Sequence, residues 1–242
     1  MFFPLAFAWG RVSVSMSAMP DSSSLLDSFF STQRCALKIC GVTTAIDARG
    51  LVDCGVAALG VNFWPLSKRY ISPDDASLWL REVRGAILRV GVFVNASNDF
   101  IAELHGQGLI DVAQLHGDES PADLHDLLGR GIPCIKAMGI RDADDLGQLN
   151  DYQAASALLL DTAAPGVYGG TGATFDWSLA IEAQFRLPTM PILLAGGITP
   201  ENAAAAISTV RPAAIDIASG AEISPGVKDF AKVKALQAVV SQ

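Results

Sequence analysis

The sequence predicts an α/β protein built as a single (β/α)8 TIM barrel, and three observations favour this fold. Eight short runs rich in Val, Ile and Leu lack strict polar alternation, which is typical of strands buried on both faces. Longer helical patterns separate these runs, and repeated right-handed crossovers of this kind close into a barrel. Apolar residues make up 50% of the 242 positions, ample material for one core. An open doubly wound sheet is the alternative, but its dinucleotide fingerprint G-x-G-x-x-G does not follow the first strand.

Each of the eight predicted units begins with one apolar strand. The strands are Ala36–Ile39, Ala57–Phe63, Leu88–Val94, Val112–Leu115, Cys134–Met138, Ala157–Leu160, Ile192–Ala195 and Ala214–Ile217. Start signals for helices follow three of them. Ser72 precedes a proline and two aspartates, which predicts an N-cap, a proline in the first turn and acids at the positive end of the helix dipole. Thr199, before Pro-Glu, repeats this pattern, and Thr44 with Asp47 is a weaker variant.

Residues 1–34 differ in composition from the rest of the chain. An apolar start interrupted by a proline leads into a Ser-rich run. A targeting leader is one interpretation, but the apolar stretch begins at Met1 with no positively charged region before it. A disordered tail, or a translation start placed too early, fits better. We therefore predict a flexible N-terminal extension over residues 1–34 and the catalytic barrel over residues 35–242.

Composition and charge exclude several classes of protein. The formal net charge is −8 and no run of Lys or Arg occurs, which argues against binding to nucleic acid or an anionic membrane. No stretch reaches the roughly 18 consecutive apolar residues of a spanning helix. The cysteines lack the spacing of a zinc site and the density of a disulfide scaffold, so reduced thiols in the cytoplasm are expected. They are Cys35, Cys40, Cys54 and Cys134.

Residues at the predicted strand ends are the candidates for chemistry, because function in a barrel gathers at the C-terminal end of its strands. Cys40 places a thiol after strand 1, and Asp161 ends strand 6 as a candidate acid or base, or as a cap for the following loop. Arg69, in the loop after strand 2, is able to grip a carboxylate with two parallel hydrogen bonds. Gln114 and His116 share one side of strand 4.

Glycine turns follow the last two strands. Gly196-Gly197 after strand 7 and Ser219-Gly220 after strand 8 stand where barrel enzymes recurrently bind phosphate. Another glycine-rich segment, residues 168–172, is predicted to cradle an anion or to act as a lid. No His-x-His pair follows strand 1, which argues against a metal-dependent hydrolase. The residues alone therefore indicate a cofactor-free barrel enzyme that moves protons on a small sugar phosphate.

Several sequence blocks occur in order along the putative barrel and carry a family resemblance. They are LKICGVT at 37–43, SKRYISP at 67–73, RVGVFVN at 89–95, QLHG at 114–117, LLDT at 159–162, GGTG with TFDW at 169–177, and SGAE with PGVKD at 219–229. The chain closely resembles the phosphoribosylanthranilate isomerase family of tryptophan biosynthesis over roughly residues 36–240.

The resemblance implies an Amadori rearrangement, in which N-(5-phosphoribosyl)anthranilate becomes 1-(2-carboxyphenylamino)-1-deoxyribulose 5-phosphate. It assigns Cys40 as general base, Asp161 as general acid and Arg69 as the group that holds the anthranilate carboxylate. The two glycine turns match the phosphate site, and Gln114 and His116 would line the pocket.

The resemblance also adds Asp216 to the pocket. It implies a small-molecule substrate, no metal or organic cofactor, and a monomer or homodimer. A thiolate base calls for a lowered pKa at Cys40, to which Lys38 could contribute.

Two alternatives remain at this stage. Indole-3-glycerol phosphate synthase uses a similar barrel but needs a catalytic lysine and glutamate, and here Lys136 alone fits, with no evident glutamate partner. A non-catalytic barrel that binds a sugar phosphate is the other alternative, and the joint presence of Cys40, Asp161 and Arg69 argues against it.

Overall fold

A computed structural model describes residues 22–31, 33–162 and 176–242. Eight parallel strands pair in chain order and close into a barrel, with β8 beside β1, so the predicted (β/α)8 TIM barrel is confirmed. The strands are β1 Ala36–Cys40, β2 Ala58–Asn62, β3 Leu88–Phe93, β4 Val112–Leu115, β5 Cys134–Ile140, β6 Ala157–Thr162, β7 Ile192–Leu194 and β8 Ala214–Ile217. All eight predicted strands are present, and their ends differ by at most two residues.

The described residues form eight α-helices. They are α1 Ser22–Phe29, α2 Ala45–Asp53, α3 Pro73–Leu80, α4 Asn98–Gly106, α5 Pro121–Gly129, α6 Trp177–Arg186, α7 Ala203–Val210 and α8 Phe230–Val240. A 310 helix, Asp145–Tyr152, connects β5 to β6. After β8 come a 310 turn, Ser219–Ala221, and an antiparallel hairpin of β9 Glu222–Ser224 and β10 Val227–Lys228. No helix in the described ranges is long and apolar enough to cross a membrane.

Successive side chains of each strand enter two different cores, as the period-two geometry of a strand requires. On β5, Cys134 and Met138 pack in the larger cluster between barrel and helices, whereas Ile135 and Ala137 pack in the smaller cluster inside the barrel. This alternation explains why the strand sequences are apolar throughout. It also decides which polar residues on a strand face the interior.

The N-terminal helix α1 closes the end of the barrel at which the strands begin. Phe29 is 1% exposed and packs in the inner cluster with Ala58, Leu88 and Ala214, each of which stands at the start of a strand. This part of the segment predicted as a flexible tail is therefore an ordered helix docked on the barrel. The burial of Phe29 accounts for the difference. Residues 1–21 and 32 lie outside the described residues, and the boundary of the extension stays a prediction.

Two of the three predicted helix starts are confirmed. The Ser72 side chain accepts a hydrogen bond from Asp75 N, and the Thr44 side chain accepts one from Asp47 N. The start at Thr199 is wrong, since α7 begins only at Ala203.

The cause of that late start is Asn202. Its side chain accepts a hydrogen bond from Thr199 N at 2.8 Å and donates one to the Gly197 carbonyl at 2.9 Å. These bonds hold residues 197–202 as a turn that precedes the helix, directly beside the strand 7 glycines.

Candidate active site

Cys40 lies at the C-terminal end of β1 above a buried ion pair. Lys38, two residues earlier on the same strand, is completely buried, and its Nζ lies 2.9 Å from Asp216 Oδ1 on the neighbouring strand β8. Lys38 also interacts electrostatically with Cys40, and its charge lowers the pKa of the thiol. A Cβ atom on Gly60 of β2 would lie 2.8 Å from Cys40 Sγ and 3.1 Å from Lys38 Nζ, so this glycine leaves the space that both groups occupy.

Burial and the neighbouring charges shift the pKa of Cys40 in opposite directions. Burial raises the pKa of the Cys40 thiol and is the largest effect; Lys38 and Lys228 lower the pKa, and Asp216 raises it. The net direction is upward, so the expectation of a lowered pKa is wrong for the protein without substrate. The physical reason is that removal of water from the thiolate outweighs the attraction of the two ammonium groups.

Cys35 and Cys134 have no such charged neighbours among the described residues. Burial raises the pKa of Cys35 and of Cys134 to about 12, which suits small packing residues. All four cysteines are unpaired.

Arg69 meets a carboxylate that the strand-end pattern of the sequence did not indicate. Its Nε donates to Glu222 Oε1 and Oε2 at 2.9 and 3.1 Å, and its Nη2 donates to Oε2 at 2.6 Å. The Arg69 stem crosses the backbone just after Cys40: a Cβ atom on Gly41, whose φ is +75°, would lie 2.2 Å from Arg69 Cδ. Glycine at position 41 therefore serves both the left-handed turn and the approach of Arg69 to the barrel mouth.

Lys228 of β10 links this ion pair to the backbone of Cys40. Its Nζ lies 2.7 Å from Glu222 Oε1 and donates to the Cys40 carbonyl at 2.5 Å. Burial lowers the pKa of Lys228, while Glu222 opposes that shift. Glu222 and Lys228 stood within the sequence blocks of the family resemblance, and that was the signal available for finding them.

Asp161 and His116 face each other across the strand ends of β6 and β4. His116 Nε2 lies 3.5 Å from Asp161 Oδ2, and Gln114 Nε2 lies 2.9 Å from His116 Nδ1. With the amide nitrogen as donor, Nδ1 accepts and a neutral His116 carries its proton on Nε2, toward Asp161. Asp161 Oδ1 accepts a hydrogen bond from Thr162 N at 2.7 Å. One carboxylate oxygen thus caps the chain, as the structural alternative predicted, and the other faces His116.

The two glycine turns pack directly against each other. Gly196 and Gly197 adopt φ of +81° and +60°, a region that favours glycine. A Cβ atom on Gly220 would lie 2.0 Å from the Ile198 carbonyl oxygen, so the turn that begins at Ser219 fits there only with glycine. Both turns stand at the same end of the barrel as Cys40 and Asp161. The predicted loop 168–172 lies outside the described residues.

The Lys136 side chain points out of the barrel. On β5 it stands between Ile135 and Ala137, which face the interior. Its Nζ lies 2.8 Å from Glu119 Oε2 and 2.7 Å from the Gly117 carbonyl oxygen. Its Nζ also stands 5.5 Å from the centre of the Tyr152 ring. Glu119 is thus a glutamate partner of Lys136 that the sequence did not make evident. The pair is buried in the layer between barrel and helices, where it does not reach a substrate in the mouth.

The arrangement is suited to proton transfer. In the described part of the chain, no three His, Cys, Asp or Glu side chains lie close enough to hold a metal ion. A thiol, a carboxylate paired with an imidazole, and an arginine occupy the ends of different strands, with the glycine turns beside them. Such a site is able to protonate one atom of a small anionic molecule and to remove a proton from another.

Comparison with known proteins identifies the family. A family model described as N-(5'phosphoribosyl)anthranilate (PRA) isomerase matches residues 37–239. The chain is 44% identical over 200 residues to the N-(5'-phosphoribosyl)anthranilate isomerase of Citrifermentans bemidjiense, covering 83% of this chain and 94% of that protein. It is 41% identical to the Thermotoga maritima protein of the same name over 198 residues, covering 82% and 94% of the two chains.

Solved structures give the same result. A crystal structure of phosphoribosyl anthranilate isomerase from Thermotoga maritima superposes with a TM-score of 0.78 at 37% identity, covering 86% of this chain and 98% of that one. A structure of the isomerase in complex with reduced 1-(o-carboxyphenylamino)-1-deoxyribulose 5-phosphate has a TM-score of 0.76 at 36% identity, with coverage of 86% and 98%. The chain therefore belongs to the N-(5'-phosphoribosyl)anthranilate isomerase family, an isomerase of tryptophan biosynthesis.

Proposed function

We propose that this chain converts N-(5-phosphoribosyl)anthranilate to 1-(2-carboxyphenylamino)-1-deoxyribulose 5-phosphate with Cys40 and Asp161 as its base and acid. The observation that carries the residue assignment is their placement. Both groups end strands of one barrel, on the same side as the packed glycine turns of β7 and β8. The relatives named above support the reaction.

Asp161 is the general acid in this proposal. Protonated Asp161 gives its proton to the furanose ring oxygen while the lone pair of the aniline nitrogen expels that oxygen from C1′. The product is an open-chain protonated Schiff base. The contact of Asp161 Oδ2 with His116, and that of Oδ1 with Thr162 N, hold the carboxyl group in one orientation. His116 and Gln114 are proposed to line the pocket at this point.

Cys40 is the general base. Its thiolate removes the C2′ proton, which the adjacent iminium has made acidic, and the resulting enolamine tautomerises to the ketone. Because burial raises the pKa of Cys40 in the free protein, the thiolate needs nearby positive charge. Lys38 supplies part of that charge, and the iminium of the opened substrate adds to it at the step that uses the base.

The two anionic groups of the substrate bind at separate places. Arg69 is proposed to hold the anthranilate carboxylate, and the turns at Gly196-Gly197 and Ser219-Gly220 to hold the phosphate through backbone N–H groups. Asp216 is proposed to contact the ribose. Its Oδ1 is engaged with Lys38, so Oδ2 is the oxygen left for a hydroxyl. A positive site is necessary for such a substrate in a chain of net charge −8.

The test follows the loss of anthranilate-derived fluorescence with purified protein and freshly generated substrate. The wild-type chain is expected to turn over, and Cys40→Ser and Asp161→Asn to lose about 10²–10⁴ in rate. Matched controls are Asp53→Asn, at the last residue of α2, and Cys54→Ser, at the residue that caps this helix. Both positions precede β2, away from the C-terminal strand ends, and near-normal rates are expected. A near-normal rate in either catalytic variant would overturn the role of that residue, and no rate above background in the wild type would leave a binding barrel.

A structural relative bears on the assembly state. The phosphoribosylanthranilate isomerase of Thermotoga maritima is dimeric, and the crystal structure of monomers generated from it has been determined. We propose a monomer or homodimer here and a cytoplasmic location, the latter because its unpaired thiols suit a reducing compartment. Sedimentation of the purified chain distinguishes the two assembly states.

A further inference from the structure

The buried carboxylate of Glu222 is the centre of a network at the barrel mouth. Glu222 is 5% exposed. It accepts hydrogen bonds from Arg69 Nε and Nη2, from Lys228 Nζ at 2.7 Å and from Gly226 N at 3.1 Å. One carboxylate therefore joins the loop after β2 to the hairpin after β8, and through Lys228 it reaches the carbonyl of Cys40.

The geometry of the guanidinium decides what Glu222 does to Arg69. Arg has five N–H donors in one plane, arranged along more than one edge. Glu222 occupies the edge formed by Nε and Nη2, while Nη1 has no hydrogen-bond partner among the described residues. The edge formed by Nη1 and Nη2 thus stays open for a second carboxylate, and the first carboxylate fixes the direction in which that edge points.

The position of the Arg69 stem is constrained as well. The stem crosses Gly41, where no side chain fits. The whole Arg69 side chain is only 14% exposed. Because Gly41 constrains the stem and Glu222 binds the guanidinium, Arg69 loses little conformational freedom when a substrate binds. This favours affinity for a carboxylate and discrimination against substrates that lack one. Glu222 also balances one of the two neighbouring cations, which leaves a local excess of positive charge for an anion.

We propose that Glu222 is a positioning residue that sets the specificity of the site for a substrate bearing a ring carboxylate, by holding Arg69 with one edge open. The inference rests on the proposed function. Glu222 touches no reacting atom in this proposal and acts only through Arg69.

The experiment compares two substrates that differ only in the ring carboxylate. Phosphoribosyl anthranilate and phosphoribosyl aniline are each generated from the amine and ribose 5-phosphate, and their kcat/KM values are measured by chromatography of the products. In Glu222→Gln, the ratio of the anthranilate value to the aniline value is expected to fall about tenfold or more, mainly through KM for the anthranilate substrate. A second fall in the ratio is not expected when Glu222→Gln is added to Arg69→Ala, because the two residues act as one unit.

Two further variants separate positioning from folding. Glu222→Asp keeps the charge and retracts it by one methylene, so an intermediate ratio is expected even if Glu222→Gln folds poorly. Glu82→Gln is the matched control, because Glu82 accepts hydrogen bonds from Nε and Nη2 of Arg49 on an exposed surface. The ratio of the two kcat/KM values in this variant is expected to equal that of the wild type.

The alternatives give different results. Equal losses on both substrates, with an unchanged ratio, would overturn the proposal and assign Glu222 to the fold alone. An unchanged ratio with unchanged rates would overturn it too. Absence of turnover of phosphoribosyl anthranilate by the wild type overturns the proposed function itself, and this inference with it.

Discussion

Lys38 Nζ lies 2.9 Å from Asp216 Oδ1 inside the barrel, on the strand that ends in Cys40. The two charges arrive from the first and the last strand and meet because the barrel closes between them. Burial acts to lower the pKa of Lys38, but Asp216 and Cys40 raise it, and the net upward direction keeps this fully buried amine positive. A positive charge beside a buried thiol is the feature on which the proposed role of Cys40 as a thiolate base depends.

Loss of the Lys38 charge is expected to shift the pH dependence of catalysis. Lys38→Met removes a cation that lowers the pKa of Cys40 and leaves Asp216, which raises it. The pKa of Cys40 therefore rises further, and the rising limb of the kcat/KM profile moves to higher pH, by about one unit or more. At pH 7 this corresponds to about a tenfold loss of rate. Lys234→Met, the same change on the exposed face of α8, is the control. If the rising limb of the kcat/KM profile stays at the same pH in Lys38→Met, Lys38 does not influence the pKa of the proposed base.

Removal of the Arg69 guanidinium is expected to weaken substrate binding. Arg69→Ala leaves the ring carboxylate without its partner, and KM is expected to rise about tenfold to a hundredfold with a smaller change in kcat. Arg69→Lys keeps the charge but not the fork and is expected to recover only part of the loss. Arg49→Ala is the control for an exposed arginine. A KM that equals the wild-type value in Arg69→Ala would contradict the role of Arg69 as an anion clamp.

A side chain at Gly220 is expected to damage the proposed phosphate site. Its Cβ would lie 2.0 Å from the Ile198 carbonyl oxygen, which is backbone and unable to yield without moving the turn. Gly220→Ala is therefore expected to raise both KM and the inhibition constant of ribose 5-phosphate, about tenfold. In Gly106→Ala, where a Cβ meets nothing within 4 Å, neither constant should change. Equal inhibition constants in the two variants would show that phosphate binds elsewhere.

Helix α1 is expected to contribute to stability but not to catalysis. Phe29 is 1% exposed at the opposite end of the barrel from Cys40, so Phe29→Ala removes a buried ring. The expected loss is about 3–5 kcal/mol of unfolding free energy, or a Tm lower by roughly 6–20 °C. The KM should stay unchanged. Phe185→Ala, at an 87% exposed position on α6, is the control with a Tm near that of the wild type. Thermal unfolding followed by circular dichroism measures both, and an unaltered Tm in Phe29→Ala would mean that α1 does not dock in solution.

Local sequence was sufficient for the strands and for the chemistry at their ends. Continuous apolar runs predict strands that are buried on both faces, and a parallel barrel puts every strand end on one side. For that reason the sequence alone predicts that Cys40, Asp161 and the glycine turns lie at one end of the molecule. Thr199 shows the limit of such local signals, because the side chain of Asn202 closes a turn there and delays the helix.

Contacts between distant parts of the chain were decided only by the tertiary structure. Arg69 and Glu222 are 153 residues apart, and Lys38 and Asp216 are 178 apart, yet each pair is in hydrogen-bonding contact because barrel closure brings the last unit next to the first two. The direction of Lys136, away from the interior, likewise depends on strand phase. The sequence by itself placed Cys40, Asp161, Arg69 and the glycine turns at the mouth of the barrel, whereas Glu222 and Lys228 joined them only in the tertiary structure. The closed barrel decided which of these groups pair and how deeply each is buried. Pairing and burial in turn set the direction of each pKa shift and the edge of the Arg69 guanidinium that stays open to a substrate.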